Sequence, residues 1–279
     1  MGQYVRQGRD HTALNSIGIA GCGRMGAPML AALKSAGFGA IGLDIRADAV
    51  GNGITLDVDD FAKDLRILIT VVRDIAQTEA VLFGDQNLLM RARKLDTVII
   101  SSTISPRYIK ELRERIHARI ALIDAPMSGA QVRAERRELS FMLGGETADL
   151  DHVQPLFDAM GNSFHRMGPL GSGMAAKVLN NLLAASNTAM TRLVLDWAQD
   201  LDLNEESLLG LMNASSGQNW FASNFNDIEF ARDGYHPDNT IHILAKDIES
   251  ALDVAPKGAD TSIPEAVKAA ILRLKPWPE

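Results

Sequence analysis

A single cysteine, Cys22, leaves nothing to form an internal disulfide and no basis for a Cys-rich metal site. Basic charge is also scarce. The 28 Lys and Arg against 35 Asp and Glu give a net charge of -7, the opposite of the basic excess that a nucleic-acid binder carries. No apolar run approaches the roughly 18–20 residues of a membrane span, and the opening MGQYVRQGRDHTALN is polar where a signal peptide would be apolar. Nucleic-acid and membrane partners are therefore not expected, and the cytoplasm is the expected location. No His, Asp and Glu cluster has metal-ligand spacing, so no metal is expected. The histidines (His11, His117, His152, His165, His236 and His242) fall in no site-like block. What remains is an ordinary globular composition, 46% hydrophobic and 23% charged, in a chain long enough for two domains.

After an extension over residues 1–15, the chain reads SIGIAGCGRMGAPMLAALKSAG. A short β-rich run, Ile17 to Ala20, meets Gly21, Gly23 and Gly26 in G-x-G-x-x-G spacing, with Arg24 and Met25 inside the turn, and helix formers follow. This is the strand, turn and helix of a dinucleotide site, in which a pyrophosphate lies at the helix N-terminus. The next strand, Ala40 to Leu43, ends in Asp44, where a carboxylate accepts hydrogen bonds from ribose hydroxyls and repels a 2′-phosphate. NAD is expected over NADP. Arg46 is the opposing signal, since an arginine there pairs with that phosphate.

Alternation then continues. Strands are predicted over Leu65–Val72, Thr97–Ser101 and Ile120–Asp124, and helices over Ala76–Leu82 and Pro106–Arg115. This pattern implies a parallel, doubly wound sheet whose ligands bind beyond the strand carboxyl ends. Three loops occupy such ends: Val71 to Asp74 (including Val72), Ser101 to Pro106 (including Thr103), and Asp124 to Ala130.

Past the midpoint, GPLGSGMAAKVLNN (Gly168 to Asn181) reads as a glycine turn feeding a long helix over Ser172–Asp200. Lys177 and Asn181 are four residues apart and share a face. Further helices are expected over Glu205–Ala214, Phe225–Arg232, Thr240–Ala255 and Ile263–Arg273, with Asn204 and Asp238 as start signals. Trp220 and Phe221 after a Ser-Ser-Gly turn are either pocket walls or core anchors.

The blocks GCGRMGAPM, STISP, DAPMSGA, FMLGG and GPLGSGMAAKVLNN, with later SSGQNW and AKD segments, resemble the β-hydroxyacid dehydrogenase family, which includes 3-hydroxyisobutyrate dehydrogenase and tartronate semialdehyde reductase. The resemblance implies a Rossmann domain over 16–168 and an all-helical domain over 169–279, linked by a long helix, in a homodimer or homotetramer. It implies that Lys177 is the general acid and base and that Asn181 orients it. Ser128 and Gly129, followed by Ala130, would hold the carboxylate of a small-molecule substrate. Thr103 would lie near the nicotinamide ribose, and Lys246 would close over the site. Ala130 stands where the family usually has a glycine, Arg136 and Arg137 where it has small residues, and Gln218 where it has arginine. The chain also ends short of the usual terminal helix. These departures bear on substrate and assembly more than on reaction type.

The chemistry is self-consistent. Hydride transfer from an alcohol requires a base for the hydroxyl proton, and the reverse requires an acid. A lysine, ordinarily near 10.4, is expected to fall toward the working range in a desolvated cleft beside a nicotinium charge. The expected function is the NAD-dependent interconversion of a small 3-hydroxy acid and its semialdehyde. The alternatives are an imine reductase, whose relatives typically lack the lysine, and a non-catalytic dinucleotide-binding module.

Overall fold

The computed structural model describes residues 14–228, 230–234 and 241–276. Apolar residues build β1 (Ile17–Ala20), and the glycine turn leads into α1 (Gly26–Ser35). The chain continues through β2 (Ala40–Leu43), β3 (Ile54–Thr55), α2 (Val58–Ala62), β4 (Ile67–Thr70), α3 (Ile75–Leu82), α4 (Leu88–Arg91), β5 (Thr97–Ile100), α5 (Pro106–Arg115) and β6 (Ala121–Asp124). Asp57, Asp74 and Ser105 start α2, α3 and α5 by accepting first-turn N–H groups, and Pro106 fills the first position of α5, where no N–H is needed.

These strands pair in parallel in the order β3-β2-β1-β4-β5-β6. The chain leaves β1 on one side for β2 and returns on the other as β4, so the carboxyl ends of β1 and β4 flank the switch-point crevice. Strand alternation feeds two cores. Ile17 and Ile19 pack with Met29, Leu30 and Leu33 of α1, whereas Ala20, Leu68, Val98 and Ile100 pack with Leu82 and Leu112. Both faces of the sheet are covered, which is why all four residues of β4 are buried, three of them apolar.

The sheet then extends in a way its sequence pattern does not announce. After β7 (Met127–Ser128) and α6 (Ala130–Glu135), β8 (Leu139–Gly144) runs antiparallel to β6 and β7. Helix α7 (Thr147–Met160) crosses over to β9 (Gly161–Gly168), parallel to β8. The doubly wound parallel sheet is present with this mixed edge added.

Helix α8 (Ser172–Asp200) follows, and the chain divides into two units between Lys177 and Val178. In the second unit α8 is joined by α9 (Glu205–Ala214), α10 (Trp220–Ser223), α11 (His242–Asp253) and α12 (Ser262–Arg273), and no strand occurs among its described residues. Asn204 starts α9 by accepting the Ser207 N–H, with Glu205 and Glu206 favourably placed in the first turn. Arg192 of α8 is fully buried and donates to the carbonyls of Ala231 at 2.9 Å and Asp233 at 2.7 Å.

The helix expected over Phe225–Arg232 does not form among the described residues of that stretch. Helix α10 ends at Ser223, and the Asn224 side-chain amide donates to the Trp220 carbonyl at 2.8 Å. Asparagine side chains that bond to nearby backbone compete with helix, and this stretch reads SNFND. Phe225 is nonetheless buried, reaching its core from a turn. Asp238 lies outside the described residues.

Candidate active site

The turn after β1 has the shape a pyrophosphate needs. A Cβ at Gly26 would stand 1.9 Å from the Gly21 carbonyl oxygen, and one at Gly21, whose φ is +92°, would meet the Val71 carbonyl oxygen at 2.7 Å. Only glycine permits this packing of helix on strand. At Gly23, by contrast, nothing lies within 4 Å of where a Cβ would be, so the backbone is open to a ligand. The residues present therefore fit a dinucleotide. Met25 is the N-cap residue of α1 and packs against the core, while the exposed Arg24 donates from Nε to Gln131 Oε1 at 3.2 Å, linking the turn to α6.

Asp44, at the end of β2, is buried. Its carboxylate accepts from the Cys22 N–H at 2.8 Å, the Arg46 N–H at 3.0 Å and Arg46 Nε at 3.2 Å. Burial favours the neutral acid, but the Arg46 guanidinium and these N–H groups outweigh it and hold Asp44 below its ordinary value. Arg46 thus closes on Asp44. Burial, and then the Asp44 charge, push the Cys22 thiol up to about 12, so it stays protonated and unreactive at neutral pH.

The loops after β4 and β5 are tied together by Ser102, whose Oγ accepts the Val72 N–H at 3.0 Å. Thr103 follows it, half-buried, and the next residue, Ile104, directs its N–H at Met174 Sδ of α8.

At the end of β6, Asp124 is completely buried. Its Oδ1 accepts the Gly171 N–H at 2.7 Å and its Oδ2 the Met174 N–H at 2.6 Å, capping the start of α8. Burial pushes its carboxyl above the ordinary range, and the N–H bonds pull the other way without cancelling it. Four residues on, Ser128 Oγ accepts from Lys177 Nζ at 2.9 Å. Lys177 is only 8% exposed, so its amine is held largely out of water beside a hydroxyl. After Ser128, Gly129 has φ +142° and Ala130, the first residue of α6, has φ +54°, a left-handed conformation that costs a non-glycine residue about 1–2 kcal/mol.

In the second unit, Asn181 Nδ2 donates to Asp247 Oδ2 at 2.6 Å, and Lys246 Nζ lies 3.4 Å from Asp247 Oδ1. Asp247 is buried, so this is not a plain surface ion pair. Trp220 and Phe221 part ways: Phe221 is a core anchor, and Trp220 is exposed at the start of α10. Among the described residues, no group of three His, Cys, Asp or Glu is placed to hold a metal ion, and no helix is long and apolar enough to cross a membrane.

Three features escaped the reading of the sequence. Asp124 stands at the head of a site loop, and its bonds to the start of α8, 47 and 50 positions away, leave no local mark. The Ser102 tie and the Asp247 anchor of Asn181 depend on pairings between distant segments and left no local mark.

Comparison with known proteins agrees with this geometry. Residues 16–179 match the NAD binding domain of 6-phosphogluconate dehydrogenase. Residues 171–272 match the NAD-binding region of NADP-dependent 3-hydroxyisobutyrate dehydrogenase. The human mitochondrial 3-hydroxyisobutyrate dehydrogenase is 30% identical over 260 residues, 88% of this chain and 77% of that protein. An NAD-dependent L-serine dehydrogenase of Pseudomonas aeruginosa is 28% identical, covering 94% of this chain and 92% of its own length. The structure of Mycobacterium tuberculosis 3-hydroxyisobutyrate dehydrogenase with L-serine superposes with a TM-score of 0.78 at 26% identity, covering 94% of this chain and 96% of that one. These matches favour neither the imine reductase nor the non-catalytic module. With a nucleotide turn of the right shape and a buried lysine at the start of the long helix, the chain belongs to the β-hydroxyacid dehydrogenase family and is an NAD-dependent oxidoreductase of hydroxy acids.

Proposed function

We propose that the substrate is a small 3-hydroxy acid, interconverted with its semialdehyde, and that Lys177 is the general acid and base. The observation that carries this reading is the buried Lys177 amine, 2.9 Å from Ser128 Oγ. Bound NAD supplies the hydride acceptor; the turn at Gly21, Gly23, Arg24, Met25 and Gly26 holds its pyrophosphate, Asp44 its adenosine ribose, and Val72 and Thr103 its nicotinamide end. Neutral Lys177 takes the proton from the substrate hydroxyl, and as an ammonium it returns the proton to the carbonyl oxygen in the reverse direction. A hydroxyl accepts and donates at once, so Ser128 accepts from Lys177 while its O–H donates to the substrate carboxylate, alongside the backbone N–H groups of Gly129 and Ala130. Asn181, fixed by Asp247, orients the lysine; Lys246 keeps the role the resemblance implies, and Trp220 serves as a substrate-pocket residue.

The substrate class is supported by what the named relatives share. 3-Hydroxyisobutyrate and L-serine are both 3-hydroxy carboxylates that differ only at the adjacent carbon. A panel of such acids, assayed by appearance of reduced nicotinamide with NAD and NADP in parallel, tests the reading. Turnover of at least one member with NAD is expected, and a folded, NAD-binding protein that oxidises none would overturn it.

We also propose a homo-oligomer. Leu179, Leu183, Met190, Leu193 and Trp197 are all exposed and recur along α8 at the three- and four-residue steps of one helix face. Such a stripe is self-complementary across a two-fold axis. Sedimentation of the wild type as a dimer or larger, and of Leu183→Glu with Trp197→Glu as a monomer, is the expected result; a monomeric wild type contradicts it. The cytoplasmic location is proposed on the sequence grounds given above, and cell fractionation tests it.

A further inference from the structure

The start of α8 is held against the sheet by backbone contacts as well as by Asp124. A Cβ at Gly173 would stand 2.4 Å from the Met142 carbonyl oxygen and 2.9 Å from the Gly144 nitrogen. A Cβ at Gly144 would stand 2.3 Å from Asp124 Oδ1 and 2.8 Å from the Gly173 nitrogen. Helix and strand β8 therefore touch backbone to backbone, with the Asp124 carboxylate filling the remaining space. Its two oxygens reach two different N–H groups, of Gly171 and Met174, at 2.7 and 2.6 Å. Two short, charge-assisted bonds to residues three apart fix both the rotation and the axial position of a helix start, and the helix dipole favours the negative charge there. Lys177 lies three residues beyond Met174, about 4.5 Å along the axis, so its ammonium inherits that register. The far end of the same loop receives it, because Ser128 is four residues after Asp124.

We infer that Asp124 is a positioning residue for Lys177: the Asp124–Gly144–Gly173 clasp sets the register of α8 on the sheet and so places the lysine amine at Ser128. The link to turnover rests on the proposed role of Lys177; the placement of the amine does not. Asn at position 124 would keep one acceptor and turn the other into a donor facing an N–H. The helix start would then lose one of its two anchors while the apolar packing remained.

The test compares wild type, Asp124→Asn, Lys177→Ala and a control, Val153→Ala, which opens a cavity in α7 of the same unit. The readouts are kcat and KM on the best 3-hydroxy acid, the Kd for NAD, the melting temperature, and the rate at which an acetylating reagent labels Lys177, followed by mass spectrometry with the exposed Lys94 as internal reference. Asp124→Asn is expected to lower kcat by about 10- to 100-fold, leave the Kd for NAD within about twofold and label Lys177 about tenfold faster. Val153→Ala is expected to lower the melting temperature without changing kcat or labelling. If Asp124→Asn does not fold, Asp124→Ser, which keeps an acceptor in less volume, carries the same readouts. Wild-type kcat and wild-type Lys177 labelling in a folded Asp124 variant would overturn the inference. Full turnover by Lys177→Ala would instead remove the proposed role of the lysine, leaving the labelling rate to decide whether Asp124 positions it.

Discussion

Replacing Asp44 by asparagine should turn the cofactor preference around, and the size of the change follows from the contacts at the end of β2. In the native protein the Asp44 carboxylate is ionised and engages the Arg46 guanidinium, so the arginine is occupied; in the proposed cofactor site that carboxylate faces position 2′ of the adenosine ribose. A 2′-phosphate carries about 1.5 to 2 negative charges at neutral pH. Taking 1 to 1.5 of these as effective, at about 5 Å and an effective dielectric of about 30, its repulsion by the carboxylate is about 2–3 kcal/mol. Asparagine removes that repulsion and releases Arg46 to pair with the phosphate, while NAD exchanges a charge-assisted ribose bond for a neutral one, a loss of about 1 kcal/mol. The ratio of NAD to NADP affinity should therefore fall by about 3–4 kcal/mol, a few hundredfold. Titrating both cofactors into both proteins by calorimetry measures it. A ratio changed by less than about threefold, below 1 kcal/mol, would refute the reasoning and show that neither Asp44 nor Arg46 faces the ribose.

The remaining predictions concern the substrate loop, the buried acid and the anchor of Asn181. Ala130→Gly relieves a left-handed alanine, φ +54°, at the cost of a freer unfolded chain; the net gain is about 0.5–1 kcal/mol, and the melting temperature should rise by about 1–3 °C rather than fall. Because burial raises the Asp124 carboxyl, the folded protein holds that proton more tightly than the unfolded chain. Its stabilising contribution is full below the ordinary value near 3.9 and is lost as pH rises through the folded value. The stability of wild type relative to Asp124→Asn should therefore grow as pH is lowered from about 7 toward 4, and a pH-independent difference in urea midpoints would contradict this. Asp247→Ala removes the acceptor that holds the Asn181 amide at 2.6 Å, so kcat should drop about tenfold with the Kd for NAD unchanged; an equal loss of cofactor binding would mean a general unfolding of the helical unit.

What could be read in advance follows the range of the interactions. The strand, turn and helix at Ile17–Ser35 were legible because Gly21 and Gly26 meet steric demands that only glycine satisfies, Gly23 leaves the backbone open, and the apolar run of β1 matches a fully buried strand. Helix α8 was legible for the same reason, being a long run of helix formers behind glycines. The antiparallel β8 was not, since its pairing with β6 rests on Asp124 meeting Gly144, twenty positions away. Periodicity failed at Phe225, where the spacing suited a helix but Asn224 bonds to its own backbone neighbourhood and ends α10. At the site, Lys177 and Ser128 were readable as residue types in blocks. Their approach to 2.9 Å, and the carboxylate of Asp124 that sets it, required the fold.

The central claim, that Lys177 moves the proton, is tested most directly by single-turnover measurement of Lys177→Ala with NAD and the best 3-hydroxy acid, following the reduced-nicotinamide band. The expected result is a hydride-transfer rate lower by about two to four orders of magnitude with NAD still bound at wild-type affinity. A rate within about threefold of wild type would contradict the account and move the search for the acid and base to another side chain.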